Sequence, residues 1–192
     1  MLRTFIAIEL PEDIRARLGE LIRQMIPASG RAVKWVDPKS IHLTIKFLGD
    51  TPAEKIQTII QALQSSCESL PEFELVVEGK GMFPNPARPR VFWVGIRKSD
   101  PLIRLQKLVD QSTQRLGFPG EDRPFSGHLT LGRIAPSATL EESRSVSAAF
   151  AGLEVGVLGT MPVRQVILFR SDLLPTGAVY TMLGVGRLLK NG

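Results

Sequence analysis

The chain has two histidines, His42 and His128, and each opens the same tripeptide: His42-Leu43-Thr44 and His128-Leu129-Thr130. For two histidines placed at random, both being followed by Leu-Thr is on the order of a one-in-a-few-hundred event at ordinary residue frequencies. Imidazole, with an unperturbed pKa of about 6.5, is the side chain that gives or takes a proton near neutral pH, so two matched copies suggest a paired acid and base. In a strand, side chains alternate between faces. His42 and Thr44 then point one way and Leu43 and Ile45 the other, and the same holds for His128 and Thr130 against Leu129 and Leu131. Two imidazoles flanking a central site, with hydroxyls between them, suit in-line displacement at phosphorus, where nucleophile and leaving group lie on opposite sides of the atom. The threonines can donate hydrogen bonds to non-bridging oxygens.

Competing readings are weaker. A single His-x-Thr in a strand is most often a half-exposed surface pair, but symmetry gives no structural reason to keep a histidine at both places. A metal site is poorer still, because neither strand carries Asp or Glu and the single cysteine leaves no soft-ligand set. Phosphohistidine chemistry needs no second, matching histidine. Lys46 and Arg133 follow the two motifs: strict alternation puts Lys46 on the face of His42 and Arg133 opposite His128, unless Gly132 permits a bulge. Of the aromatics, Phe47 and Trp93 fit core strand positions, Trp35 is an optional platform, and Phe83, just before a loop, is the better stacker for a base.

These residues must be carried by elements, and the elements read twice. Residues 3–10 are β-rich, Pro11 opens a helical stripe through Met25, and Ile41 to Leu48 resumes strand character after the turn at Asp37-Pro38. Ile56, Ile59, Ile60 and Leu63 mark a second helix, and Phe73 to Val77 alternates as a strand. The order then recurs: strand Val91 to Ile96, a helical stripe from Leu102 to Leu116, strand His128 to Ile134, helix Thr139 to Phe150 and strand Leu153 to Leu158. Phe5 to His42 and Val91 to His128 are both 37 residues. This self-similarity predicts an α+β fold with two lobes related by a pseudo-two-fold axis. Two antiparallel sheets would carry helices outside and a central cleft between the lobes. Strands Val163 to Arg170 and Ala178 to Val185, joined by a turn at Pro175-Thr176-Gly177, complete the first lobe. The expected division is one bilobed domain, with residues 1–77 and 163–192 in the first lobe and 78–162 in the second. Phe83 to Arg90 is the candidate hinge or mobile loop.

A chain of 192 residues can bury a substantial core without staples, and Cys67, the lone cysteine, rules out a disulfide framework. The early charges argue against a signal peptide, and no apolar run reaches the roughly 20 residues of a membrane span, so a cytoplasmic monomer without membrane contact is expected. A net charge of +5 favours polyanionic partners.

The segments RTFIAIELPEDI, KWVDPKSIHLTIKFLGD, GKGMFPNPARPRVFWVGI and RPFSGHLTLGRI together resemble the two-histidine phosphoesterases over nearly the whole chain. The likeness is to the bacterial and archaeal RNA 2′,3′-cyclic phosphodiesterases historically called 2′,5′ RNA ligases. The resemblance implies hydrolysis of a 2′,3′-cyclic phosphate on an RNA end or nucleotide to a 2′-phosphomonoester, with no metal or other cofactor. It makes His42 the proton donor to the departing 3′ oxygen and His128 the base that activates water, with Thr44 and Thr130 on phosphate oxygens. Related sequences often carry proline directly before the second histidine, where this chain has Ser126-Gly127, implying a looser entry to that strand. Open alternatives are 2′,5′ ligation of tRNA halves, non-catalytic binding of RNA ends, and hydrolysis of a nucleotide-derived small molecule.

Overall fold

A computed structural model describes residues 1–174 and 177–190; the expected turn residues Pro175 and Thr176 lie outside them. Nine strands and four helices are described: β1 Leu2–Glu9, α1 Glu12–Ser29, β2 Val33–Trp35, β3 His42–Thr51, α2 Ile56–Cys67, β4 Phe73–Phe83, β5 Val91–Ile96, α3 Asp100–Gln114, β6 His128–Ile134, α4 Leu140–Gly152, β7 Val157–Val163, β8 Gln165–Leu174 and β9 Gly177–Arg187. They form two antiparallel sheets, one in the order β3-β1-β8-β9 and one in the order β2-β6-β5-β4-β7. Helix starts follow local chemistry. Pro11 precedes α1 with its φ already near the helical value, Ser99 caps α3 through Leu102 N–H, and Thr139 with Glu142 makes a reciprocal capping box on α4.

The two sheets share one core. Leu43 and Ile45 of β3, Leu129 and Leu131 of β6, and the apolar faces of all four helices belong to a single buried cluster. A smaller cluster, Phe5, Ala7, Ile167 and Phe169 with Tyr180 and Val185 against it, lies on the other face of the four-stranded sheet. Helices α2 and α3 pack together and reach β3, β8 and β9, whereas α1 packs with α4 and against β7. Cys67, at the end of α2, is buried against Gly186 of β9, and its thiol is pushed up to about 12 by burial first and by the charge of Glu68 second.

The sheets divide the chain differently from the expected lobe boundaries. Val33–Trp35, placed in the first lobe by order along the chain, pairs with β6 of the five-stranded sheet, and β4 joins that sheet from Phe73 onward. The chain therefore changes sheets three times before residue 78, and α1 covers the sheet opposite to the one that contains β1. The last two strands do join the sheet of β1, β8 pairing with β1 and β9 with β8, as expected for a chain whose closing segment completes its first sheet. Among the described residues, no helix is long and apolar enough to cross a membrane.

Candidate functional site

His42 and His128 open β3 and β6, the strands along which the two sheets approach each other. Each imidazole is held in the same way. His42 Nδ1 lies 2.9 Å from the Ser40 carbonyl oxygen and His128 Nδ1 lies 2.8 Å from that of Ser126. A carbonyl only accepts, so in both rings Nδ1 carries a proton and donates it, leaving Nε2 as the nitrogen available for chemistry. The Ser126-Gly127 entry to β6, expected to be looser than a proline-led one, orients its histidine by the same bond as Ser40-Ile41.

The strand registers show which residues share a face with each histidine. In the four-stranded sheet Phe5, Ala7 and Glu9 alternate on one face of β1, and their partners on β3 are Phe47, Thr44 and His42. In the five-stranded sheet Val91, Trp93 and Gly95 do the same on β5, opposite Arg133, Thr130 and His128. Both strands carry an extra residue between the threonine and its next same-face neighbour, Ile45 in β3 and Leu131 in β6. The two bulges turn the residue five positions beyond each histidine onto the histidine face. Arg133 is thereby on the side of His128 and Thr130, the arrangement that required a bulge at Gly132.

The same irregularity overturns two expectations from alternation. Lys46 does not share the face of His42: it pairs with Ile6 on the core side, is 2% exposed, and bonds Asp110 and the Pro119 carbonyl. Phe47 is not a core residue: it is 63% exposed and stands near Phe5 on the histidine face, with ring centroids 6.2 Å apart. Phe83 meets His128 edge to face at 4.9 Å and Trp93 at 5.0 Å, so its ring braces an imidazole. Trp35 lies against Phe92 in the core. The Phe83 to Arg90 loop is a hairpin connection between β4 and β5, closed by a 2.6 Å bond from Arg90 N–H to the Phe83 carbonyl.

Tyr180 is a site residue that the sequence does not reveal. It projects from β9 and meets His42 edge to face at 5.1 Å, while Phe5 stacks on the imidazole at 4.7 Å and itself meets Tyr180 at 5.1 Å, so the three rings form one mutually packed cluster. This enclosure pushes the His42 imidazole below its ordinary pKa through burial, with the Ser40 bond acting in the other direction. Burial likewise raises the Tyr180 phenol, and the charges of Arg133 and then Arg3 oppose that rise. Arg133, rooted beside His128, is thus close enough to act electrostatically on the ring that covers His42. The registers put His42 and Thr44 on one face of β3 and His128, Thr130 and Arg133 on one face of β6, and these two strands are in contact. That set suits an anionic phosphodiester, with proton transfer on either side. The signals that could have pointed to the missed residues were the matching offset of Phe47 and Arg133 after their histidines and the presence of a single tyrosine on a predicted strand.

A family model described as LigT-like phosphoesterase matches the chain twice, over residues 8–93 and 94–180, which divides it into two copies of one pattern. An RNA 2′,3′-cyclic phosphodiesterase of Methanothermobacter thermautotrophicus is 32% identical over 186 residues, covering 97% of this chain and 98% of that protein. The protein of the same name from Archaeoglobus fulgidus is 33% identical, covering 96% of this chain and 99% of its own. Among solved structures, a crystal structure from Thermus thermophilus superposes with a TM-score of 0.81 at 31% identity, covering 97% of this chain and 98% of that one. E. coli LigT complexed with 3′-AMP superposes at 0.77 and 26% identity, with the same coverage.

Proposed function

The chain belongs to the LigT-like phosphoesterase family, and from that premise we propose that it is a hydrolase of 2′,3′-cyclic phosphodiesters on RNA ends or nucleotides, yielding 2′-phosphomonoesters. The observation that carries the reading is the matched presentation of His42 and His128, each with Nδ1 fixed by the carbonyl two residues upstream and Nε2 left free. His128, neutral, takes a proton from water at Nε2 as the oxygen bonds to phosphorus. His42, protonated at both nitrogens, gives its Nε2 proton to the 3′ oxygen as the P–O3′ bond breaks. The products are a free 3′ hydroxyl and a 2′-phosphomonoester, and the proton on His128 returns to solvent. Thr44 and Thr130 donate to the non-bridging oxygens and Arg133 balances their charge, so the reaction proceeds without a metal ion.

The roles are unequal, and the surroundings support a particular order of events. A His42 ring buried against the Phe5 and Tyr180 rings resists protonation in the free protein. A phosphodiester anion arriving beside it favours the imidazolium, so the acid is charged as substrate binds. Phe47, exposed on the His42 side where the ribose of the leaving oxygen would lie, offers a stacking face for the base. RNA with cyclic-phosphate ends, including tRNA halves, and free cyclic nucleotides are the partners this reading allows, acted on by a monomer. The test is incubation with 2′,3′-cyclic nucleotides and cyclic-ended RNA in EDTA, with the product isomer identified. A 2′-phosphate product at an undiminished rate is expected. Loss of activity in EDTA overturns the metal-free mechanism, and a 3′-phosphate product reverses the assignment of the departing oxygen.

A further inference from the structure

The Lys46 side chain has no place in the chemistry above, yet it is among the largest fully buried side chains. The bulge at Ile45 turns it away from the histidine face and into the junction between the two halves. There its ammonium donates to the Asp110 carboxylate on α3 and, at 2.6 Å, to the Pro119 carbonyl. Asp110 is itself held by Gln114 Nε2 at 2.5 Å. A second lysine grips the same segment: Lys55 Nζ donates to the Leu116 carbonyl at 2.8 Å and lies 5.5 Å from the centre of the Phe118 ring. Residues 116–119 are therefore tied to the half of the chain that bears His42, and residues 120–127, an irregular and largely exposed stretch, connect them to His128.

We infer that Lys46 is a positioning residue, a buried strut that sets the spacing of the two imidazoles by fastening the His42 strand to the segment leading into His128. The inference rests on the two-histidine reading above. An in-line reaction needs both Nε2 atoms in place along one axis, and a displacement of about 1 Å arising far from the chemistry can cost about 100-fold in rate. A buried ammonium with a carboxylate and a carbonyl as partners is directional in a way that an apolar side chain of similar length is not. The equivalent position in the other strand, Gly132, has no side chain, so the strut runs in one direction only.

The test replaces the pair by apolar groups, Lys46→Met with Asp110→Leu, since such exchanges of a buried ion pair are commonly neutral or stabilising and the double variant should fold. Steady-state rates on a 2′,3′-cyclic nucleotide, with circular dichroism and melting as controls, are read well below the melting point. The expected result is a kcat about 10- to 100-fold lower with KM changed less than about threefold and an unaltered pH profile. In a His128→Ala background the same double change should leave the residual rate untouched, which a general loss of structure would not. A folded double variant with wild-type kcat overturns the inference, as does an equal further loss in the His128→Ala background. Should the double variant not fold, Asp110→Asn, which keeps a neutral acceptor, is read in the same assay, with a kcat loss of several-fold expected and none overturning. Inactivity of the wild-type protein toward cyclic phosphates would remove the underlying reading instead, so the two failures are distinguishable.

Discussion

Strands β3 and β6 begin alike and end differently. Both open on His-Leu-Thr, both anchor the imidazole on a serine carbonyl, and both bulge at the fourth residue. Past the bulge, β3 delivers Lys46 to the interior and Phe47 to the site, whereas β6 delivers Gly132 and Arg133. Sheet position accounts for part of this divergence. β6 is flanked by β2, and a Cβ on Gly132 would come within 2.6 Å of the Trp35 ring and 2.8 Å of Val33. β3 is an edge strand of its sheet, with α3 packed against it, so the corresponding space accepts a long side chain. A duplicated backbone thus sets two matched imidazoles, and the residues beyond the bulges make the two sides unequal: a guanidinium on one, an exposed aromatic ring on the other.

The most damaging changes remove the parts that match. His42→Ala and His128→Ala should each lower kcat on the order of 100- to 10,000-fold, and full activity in either would end the pairing. The unequal parts should fail unequally. Arg133→Ala is expected to lower kcat/KM about 10- to 100-fold through loss of a charge-assisted contact. Phe47→Ala is expected to raise KM about 5- to 10-fold with kcat preserved, the low end of stacking energies for one exposed face. A kcat effect at Phe47 or a pure KM effect at Arg133 would invert the roles assigned to them. The pH dependence probes the same asymmetry. A proton donor must start protonated, and burial lowers the His42 pKa, so kcat/KM should fall as pH rises, with the midpoint of that fall below the ordinary imidazole value of about 6.5. In kcat, with the anion bound, that fall should move to higher pH. Superposed profiles would argue that bound substrate does not charge His42. The smallest effect is on stability: Gly132→Ala, which meets Trp35 and Val33, should cost about 1–3 kcal/mol by overpacking, seen as a lowered melting temperature.

The paired tripeptides and the repeated order of elements are enough to place both histidines at the starts of equivalent strands and to predict two antiparallel sheets, because alternation and helical periodicity are local signals. Local signals count positions, and a bulge adds one without marking it in the sequence. Hence alternation exchanges the faces of Lys46 and Phe47, while Gly132, the one residue that hints at a bulge, allows for Arg133. The pairing of β2 with β6 and the crossing of α1 to the opposite sheet depend on contacts between segments far apart in the chain, for which periodicity carries no information. Tyr180 is hidden for the same reason: its partner His42 lies on another strand of the same sheet, separated by β1 and β8.

The burial of Cys67 matters at the bench as well. A thiol sealed against Gly186 and kept protonated up to about pH 12 offers almost no thiolate to an alkylating reagent at neutral pH. For labelling, the chain behaves as though it had no cysteine. Single cysteines introduced at one exposed position on each sheet can therefore carry paired spectroscopic probes on an otherwise unaltered background, and the distance between the halves becomes directly measurable in the presence and absence of nucleotide.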